Sequence, residues 1–210
     1  MTDPRKTEIA VILDRSGSMA SIKKEMQTGF ARFVASQMVL PGECVMSLYR
    51  FDTVYEVVFE ERPLAKVPHL RLVPRGSTAL LDAVGHSIAR IGERLAAKPE
   101  PMRPGSIIVM IITDGQENAS VEVRRDVLKA TIKRQMQAYS WQFMYLGTDA
   151  SVFSEAASLG IPAASRYAPD AGGVARLYAE SASSVADFRS RFQRGDAGAS
   201  IRTPGSSSDD

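Results

Sequence analysis

Three short oxygen-bearing side chains lie at alternating positions near the N-terminus. Asp14, Ser16 and Ser18 follow directly after the apolar run 9–13, and Gly17 lets the backbone turn between the serines at little steric cost. A carboxylate and two hydroxyls are hard oxygen ligands, which suit Mg²⁺ or Mn²⁺ far better than zinc. Taken alone, the pattern fits a serine-rich helix N-terminus with an incidental aspartate equally well.

Two later stretches place similar oxygens beside predicted structural elements. Thr78 stands where an amphipathic helix is predicted to begin, and Asp114 follows the apolar run 107–112. In open α/β sheets, binding sites lie outside the carboxyl ends of the strands, and Asp14 and Asp114 each follow a predicted strand. The three stretches together therefore form a candidate site for a divalent cation.

The apolar pattern alternates strands and helices along the chain. Apolar runs predict strands at 9–13, 45–51, 54–59, 107–112 and 141–146, with a last edge strand at 161–163. Apolar residues at helical spacing predict helices between and after these strands, and we expect Ser120 to cap the helix that ends near Gln137. The alternation predicts a doubly wound, mostly parallel α/β sheet with helices on both faces. A tight turn at 52–53 adds one antiparallel edge strand.

Length and composition limit the remaining possibilities. A chain of 210 residues is long enough for one large domain, which we predict at 7–194 after a short arm, 1–6. The stretch 195–210 is small, polar and free of aromatic residues, so we expect a disordered tail. A net charge of +2 argues against an obligate polyanion binder, and Cys44, the single cysteine, excludes an intrachain disulfide.

The N-terminal segment is polar, and the apolar run that follows it is too short for a signal peptide. No segment approaches the roughly 20 apolar residues that a membrane span requires. We therefore expect a soluble, cytoplasmic protein with no membrane partner.

The candidate residues match a known family pattern. In order along the chain they are Asp14, Ser16, Ser18, Thr78 and Asp114. Together they resemble the metal-ion-dependent adhesion site (MIDAS) of the von Willebrand factor A (VWA) domain family, in which Asp-x-Ser-x-Ser is followed by a Thr and then an Asp. The resemblance covers roughly residues 7–192, including the order of strands and helices. The stretches 144–150 and 158–161 look like the compact cytoplasmic bacterial and phage members, and we expect Asp149 to be a helix N-cap.

The resemblance implies a metal and a partner. It implies Mg²⁺, with Mn²⁺ or Ca²⁺ as alternatives, bound by the hydroxyls of Ser16, Ser18 and Thr78, while Asp14 and Asp114 bind directly or through water. It also implies that an open coordination position takes an Asp or Glu carboxylate from a partner protein. Family members include adhesins, integrin-type receptors and cytoplasmic partners of AAA+ ATPases. An adaptor in a bacterial stress or AAA+ ATPase-linked system is the expectation that fits the missing signal peptide.

Two other functions compete with metal-dependent partner binding. In a phosphatase of the haloacid dehalogenase type, Asp14 would be the nucleophile, and a second Asp two residues later would be the acid/base. Ser16 occupies that position, and a hydroxyl cannot deliver protons near neutral pH as a carboxylic acid can. We therefore do not expect an enzyme. The other possibility is a structural assembly domain whose metal only stiffens the loops, and metal-dependent capture of a partner discriminates between the two.

A basic stripe on the helix near residue 130 raises the question of nucleic-acid binding. Arg125, Lys129 and Lys133 recur every four residues, but Glu122 and Asp126 are interleaved with them. Mixed charge of this kind is typical of a solvated helix face. We expect no nucleic-acid partner.

Overall fold

The architecture comes from a computed structural model, which describes residues 2–148, 150–196 and 198–205. Asp149, for which a helix N-cap was predicted, lies outside these residues. The strands are β1 (Asp3–Asp14), β2 (Glu43–Phe51), β3 (Tyr55–Pro63), β4 (Pro104–Ile112), β5 (Gln142–Gly147) and β6 (Ala163–Arg166). The helices are α1 (Lys23–Met38), α2 (Leu80–Ala96), α3 (Arg125–Tyr139), α4 (Val152–Ser158) and α5 (Ala171–Gln193).

The six strands form one sheet in the order β3-β2-β1-β4-β5-β6. Every neighbouring pair is parallel except β2 and β3, which form an antiparallel hairpin at one edge. The predicted fold class, a doubly wound and mostly parallel sheet with one antiparallel edge strand, is therefore confirmed. Because β1 pairs with both β2 and β4, its carboxyl end lies in the middle of the sheet.

Two apolar clusters cover the two faces of the sheet. Ile9, Val11 and Leu13 point into the cluster that contains α1 and α5, whereas Ala10 and Ile12 point into the cluster that contains α2, α3 and α4. All five side chains are at most 1% exposed. Burial on both faces fixes the register of β1, because a slip by one residue would exchange the two sets of side chains. The position of Asp14, the residue that follows this run, is fixed together with the register of β1.

The first strand is longer than predicted. β1 begins at Asp3, within the segment 1–6 that was predicted as an arm. Its polar first residues continue the backbone pairing of the sheet, with Lys6 opposite Glu43 and Asp3 opposite Pro104. Side-chain patterning does not predict such an extension, because the pairing uses main-chain groups and none of the first four side chains is buried.

The helix for which Ser120 was predicted as the N-cap begins at Arg125, five residues after Ser120. Ser120 is therefore not its N-cap, and that prediction is wrong. The reason is that the backbone N–H of Ser120 donates to the Glu117 carboxylate, and the next three N–H groups donate to the Asp82 carboxylate. These side chains hold the segment in a loop. The last strand is also displaced, since β6 covers Ala163–Arg166 rather than 161–163.

The described part of the predicted tail contains a buried apolar residue. Ile201 is only 6% exposed and belongs to the apolar cluster under α1 and α5. Its backbone N–H donates to Oε1 of Gln142 at 3.0 Å, at the start of β5. The packed unit therefore extends beyond the predicted boundary at residue 194. Within the described residues, no helix combines the length and the apolar composition that a membrane span needs.

We expect Ile201→Ala to lower the free energy of unfolding by about 2–4 kcal/mol, because it removes buried apolar atoms and leaves a cavity. Urea denaturation measures the change. Arg202→Ala is the matched control, since the Arg202 side chain is 46% exposed, and its effect should stay within about 0.5 kcal/mol. Equal effects of the two substitutions would show that the segment after α5 contributes no specific packing.

Candidate metal centre

The carboxylate of Asp14 joins the ends of two neighbouring strands. Asp14 is the last residue of β1 and is fully buried. Its Oδ1 accepts a hydrogen bond from the backbone N–H of Ser16 at 2.6 Å, and its Oδ2 accepts one from the Thr113 hydroxyl at 2.6 Å. Thr113 follows β4 directly. Asp14 is therefore held between the loop after β1 and the loop after β4.

The two serine hydroxyls continue this contact towards the surface. Ser16 Oγ lies 3.1 Å from Ser18 Oγ, and the Ser18 hydroxyl donates to Oδ1 of Asp114 at 2.7 Å. Ser16 is buried, Asp114 is half-buried and Ser18 is exposed. The cluster thus extends from the interior beside Asp14 to an opening at Ser18.

The Thr78 hydroxyl meets the same cluster at Gly115. A Cβ atom placed on Gly115 would lie 3.3 Å from Thr78 Oγ1, which is a tight contact, and 3.7 Å from Ser18 Oγ, so Gly115 lies between the two hydroxyls. Thr78 itself is only 3% exposed. The structure therefore brings all of the sequence-predicted site residues together at the carboxyl edge of the sheet, although they come from three separate loops.

The donor set fits a hard divalent cation. Burial raises the pKa of Asp14 to about 6, and burial also raises the pKa of Asp114. Among the described residues, no Lys or Arg forms an ion pair with either carboxylate, so a bound cation would supply the missing positive charge. Nor does that part of the chain hold a metal-binding group of three or more His, Cys, Asp or Glu residues, so a cation here would depend on the hydroxyls. Carboxylate and hydroxyl oxygens are ligands that suit Mg²⁺.

Comparison with known proteins supports the fold. No protein-family model and no curated protein matches the sequence significantly. The structure is similar to a von Willebrand factor type A protein from Catenulispora acidiphila, with a TM-score of 0.55 and 18% identity over 91% of this chain and 43% of that one. The chain has the VWA fold. The ArnB paralog VWA2 from Sulfolobus acidocaldarius is similar with a TM-score of 0.53 and 16% identity, covering 82% of this chain and 44% of that one.

A third similar structure contains a metal. It is proximal thread matrix protein 1 from the mussel byssus with a zinc-occupied MIDAS motif, and it has a TM-score of 0.50 and 16% identity over 73% of this chain and 38% of that one. The present chain spans less than half the length of each of these proteins. At such identities the similarity establishes the VWA fold, and the function has to be argued from the residues of this chain.

In this VWA fold, an ion-pair cluster around the buried carboxylate of Asp52 positions the loops on one side of the site. Arg15, which lies between Asp14 and Ser16, donates from Nε to Oδ2 of Asp52 at 2.9 Å, and Arg75 donates from its Nε to the same oxygen at 2.8 Å. Burial alone would raise the pKa of Asp52, but hydrogen bonds and charge from the two arginines hold it below its ordinary value. The cluster ties the loop after β1 to the loop that precedes Thr78.

A second set of carboxylates positions the loop on the other side. Oε2 of Glu117 accepts the backbone N–H of Leu81 at 3.0 Å, while Oε1 accepts the N–H of Ala119 and of Ser120. Asp82, in the first turn of α2, accepts the three N–H groups of residues 121–123. Sequence reasoning missed both clusters, because Asp52 was interpreted only as a turn residue and Glu117 lies in a segment without periodicity.

Proposed function

We propose that this protein is a metal-dependent interaction module that captures an Asp or Glu side chain of a partner protein. The proposed ligands of the divalent cation, Mg²⁺ in the first place, are Asp14, Ser16, Ser18, Thr78 and Asp114. The single observation that supports this most is the opening of the hydroxyl cluster at Ser18, since a buried cation site without access could not receive a partner.

The charge balance of the site favours an acidic ligand. Two carboxylates bound directly would neutralise Mg²⁺ and leave little attraction for an anion. Both oxygens of Asp14, however, already accept hydrogen bonds, from the Ser16 N–H and the Thr113 hydroxyl. This supports a role for Asp14 through water. With hydroxyls of Ser16, Ser18 and Thr78 in the inner coordination shell, the ion keeps its positive charge.

A partner carboxylate would complete the coordination shell from the open side. Mg²⁺ prefers near-octahedral geometry and hard oxygen ligands, so an incoming carboxylate supplies both the missing ligand and the compensating charge. A carboxylate bound to a metal ion is held much more strongly than one in an exposed ion pair, which contributes roughly 0–1 kcal/mol. A single acidic residue can therefore dominate the affinity of the complex.

The proposal extends to the setting of the protein. We place it in the bacterial cytoplasm, as a binding adaptor linked to a stress response or to an AAA+ ATPase, without a nucleic-acid or membrane partner and without catalytic turnover. The position two residues after Asp14 supports the last point, because it holds the Ser16 hydroxyl where a phosphatase of the haloacid dehalogenase type has a carboxylic acid.

We expect Thr78→Ala to weaken partner capture strongly, because it removes one neutral ligand of the proposed metal. The measurement is a pull-down with wild-type and variant baits, each in Mg²⁺ and in EDTA. Ser77→Ala is the matched control: Ser77 is the exposed neighbour of Thr78, and its loss should leave capture unchanged.

A second experiment tests whether an acidic residue of the partner protein makes the contact. Once the pull-down has identified a protein, its contact Asp or Glu is replaced by Asn or Gln, and binding of the purified proteins is measured. Binding that disappears both with this replacement and in EDTA supports the proposal. Binding that survives both treatments contradicts it.

A further inference from the structure

The backbone of Thr78 is held on both sides by one short segment. The Thr78 N–H donates to Oδ1 of Asn118 at 2.9 Å. The Thr78 carbonyl accepts the backbone N–H of Asn118 at 3.1 Å and that of Ala119 at 3.2 Å. Both peptide groups of Thr78 are thus paired with residues about forty positions later in the chain, just beyond Asp114.

The start of helix α2 depends on the same segment. Its N-cap position is occupied by Ala79, which has no side chain that could accept a hydrogen bond. The free N–H groups of the first turn donate to the later segment instead, Leu81 to Glu117 and Asp82 to the Ser120 hydroxyl. The segment 117–120 therefore determines where Thr78 stands relative to Asp114.

The orientation of the Thr78 backbone sets the position of its hydroxyl. Threonine is branched at Cβ, and its first side-chain torsion is restricted, so the hydroxyl follows the backbone closely. Among the described residues, the Thr78 backbone has one hydrogen bond that depends on a replaceable side chain, the bond from its N–H to Asn118. The hydroxyl itself lies beside Gly115, where an added Cβ atom would come within 3.3 Å of Thr78 Oγ1.

We infer that Asn118 is a positioning residue for the metal site: its side-chain oxygen orients Thr78 so that the Thr78 hydroxyl can bind the cation. The inference rests on the proposed function, because it assumes that a divalent cation binds at Thr78. Groups that orient a metal ligand without touching the metal typically change metal affinity by about 10–100-fold when they are removed.

Mn²⁺ titration of metal-free protein, with the free ion followed by electron paramagnetic resonance, tests the inference. We expect Asn118→Ala to bind Mn²⁺ about 10–100-fold more weakly than wild type. Asn118→Asp keeps an oxygen that can accept the Thr78 N–H and adds a negative charge near the site. This conservative variant should therefore bind Mn²⁺ at least as tightly as wild type.

The two variants separate positioning from a purely structural role. If Asn118 only stabilised the loop, Asn118→Ala would lower the melting temperature of the metal-free protein and leave the Mn²⁺ affinity unchanged. If Asn118→Ala binds Mn²⁺ with wild-type affinity, the inference is wrong but the proposed function stands. The same conclusion follows if Asn118→Asp binds Mn²⁺ as weakly as Asn118→Ala. A wild-type protein that binds no Mn²⁺ overturns the proposed function, and this inference with it.

Discussion

We expect Asp14→Asn to weaken divalent-metal binding strongly and to leave the metal-free protein folded and at least as stable as wild type. Asp14 is fully buried, and its two oxygens accept hydrogen bonds from Ser16 and Thr113. An asparagine of the same shape keeps one acceptor, and its amide N–H can donate to the Thr113 hydroxyl, which rotates to accept. The substitution also removes a buried charge that has no cationic partner among the described residues, and burying such a charge is unfavourable.

Thermal unfolding with and without Mg²⁺ measures both effects. A ligand present at 100 times its dissociation constant stabilises the folded state by about 2.7 kcal/mol. For a domain of this size, that corresponds to a rise in Tm of about 5–10 °C in the wild type. Asp14→Asn should show a much smaller rise. Thr28→Ala is the control on helix α1, because the Thr28 hydroxyl donates to the Lys24 carbonyl of the same helix and contacts no proposed ligand in the described structure, so the rise should be retained. An undiminished rise in Asp14→Asn would show that the metal binds elsewhere.

Asp14→Asn is expected to lose metal affinity but not stability. Such a result distinguishes a residue of a binding site from a residue with a structural role. Asp14, Ser16 and Thr78 are all buried polar residues, and the Ser16 hydroxyl lies beside the Asp14 carboxylate, whose pKa is raised by burial to about 6. An apolar or neutral site would be easier to fold. A bound cation would offset the unfavourable burial of the Asp14 charge. This compensation is the physical basis of the proposed function.

Much of this site could be predicted from the sequence, because each residue stands beside a strong local signal. Asp14 and Asp114 each follow a continuous apolar run, and such runs are typical of strands buried on both faces. Thr78 directly precedes an amphipathic helix. In a parallel sheet the carboxyl ends of the strands lie at one edge, so residues from distant loops could be placed together before the structure was known.

The residues that orient the site could not be predicted, because their roles exist only in the folded chain. Asn118 and Glu117 lie in a segment without helical or strand periodicity, and their partners Thr78 and Leu81 are far away in sequence. The same is true of Ile201, a single apolar residue in a polar stretch, whose burial depends on the space left beside β5. Local patterning predicts elements, whereas these contacts arise from how the elements meet.

A further ion-pair cluster that sequence reasoning missed lies midway along β1. Glu8 is fully buried, and its Oε1 accepts hydrogen bonds from the Ser47 hydroxyl and from the Arg94 guanidinium, both at 2.6 Å. The Arg94 side chain, 16% exposed, also pairs with Glu61 at 2.7 Å. This cluster joins strands β1, β2 and β3 to helix α2. Glu8 is isolated from water, and Arg94 is the cation that pairs with its carboxylate.

Arg94→Met should therefore lower the free energy of unfolding by about 3–5 kcal/mol, because removing one partner of a buried ion pair leaves the other charge uncompensated. Urea denaturation measures the change, and Arg90→Met is the matched control. Arg90 is on the same helix and pairs with Glu60, but its side chain is half exposed, so its loss should have an effect below about 1 kcal/mol.

The double variant Glu8→Gln, Arg94→Met removes both charges and should recover most of the lost stability. If it is as unstable as Arg94→Met alone, then the loss comes from packing of the arginine stem rather than from the charge on Glu8. Mn²⁺ affinity should be unchanged in all three variants, because Glu8 lies midway along the central strand, six residues before Asp14.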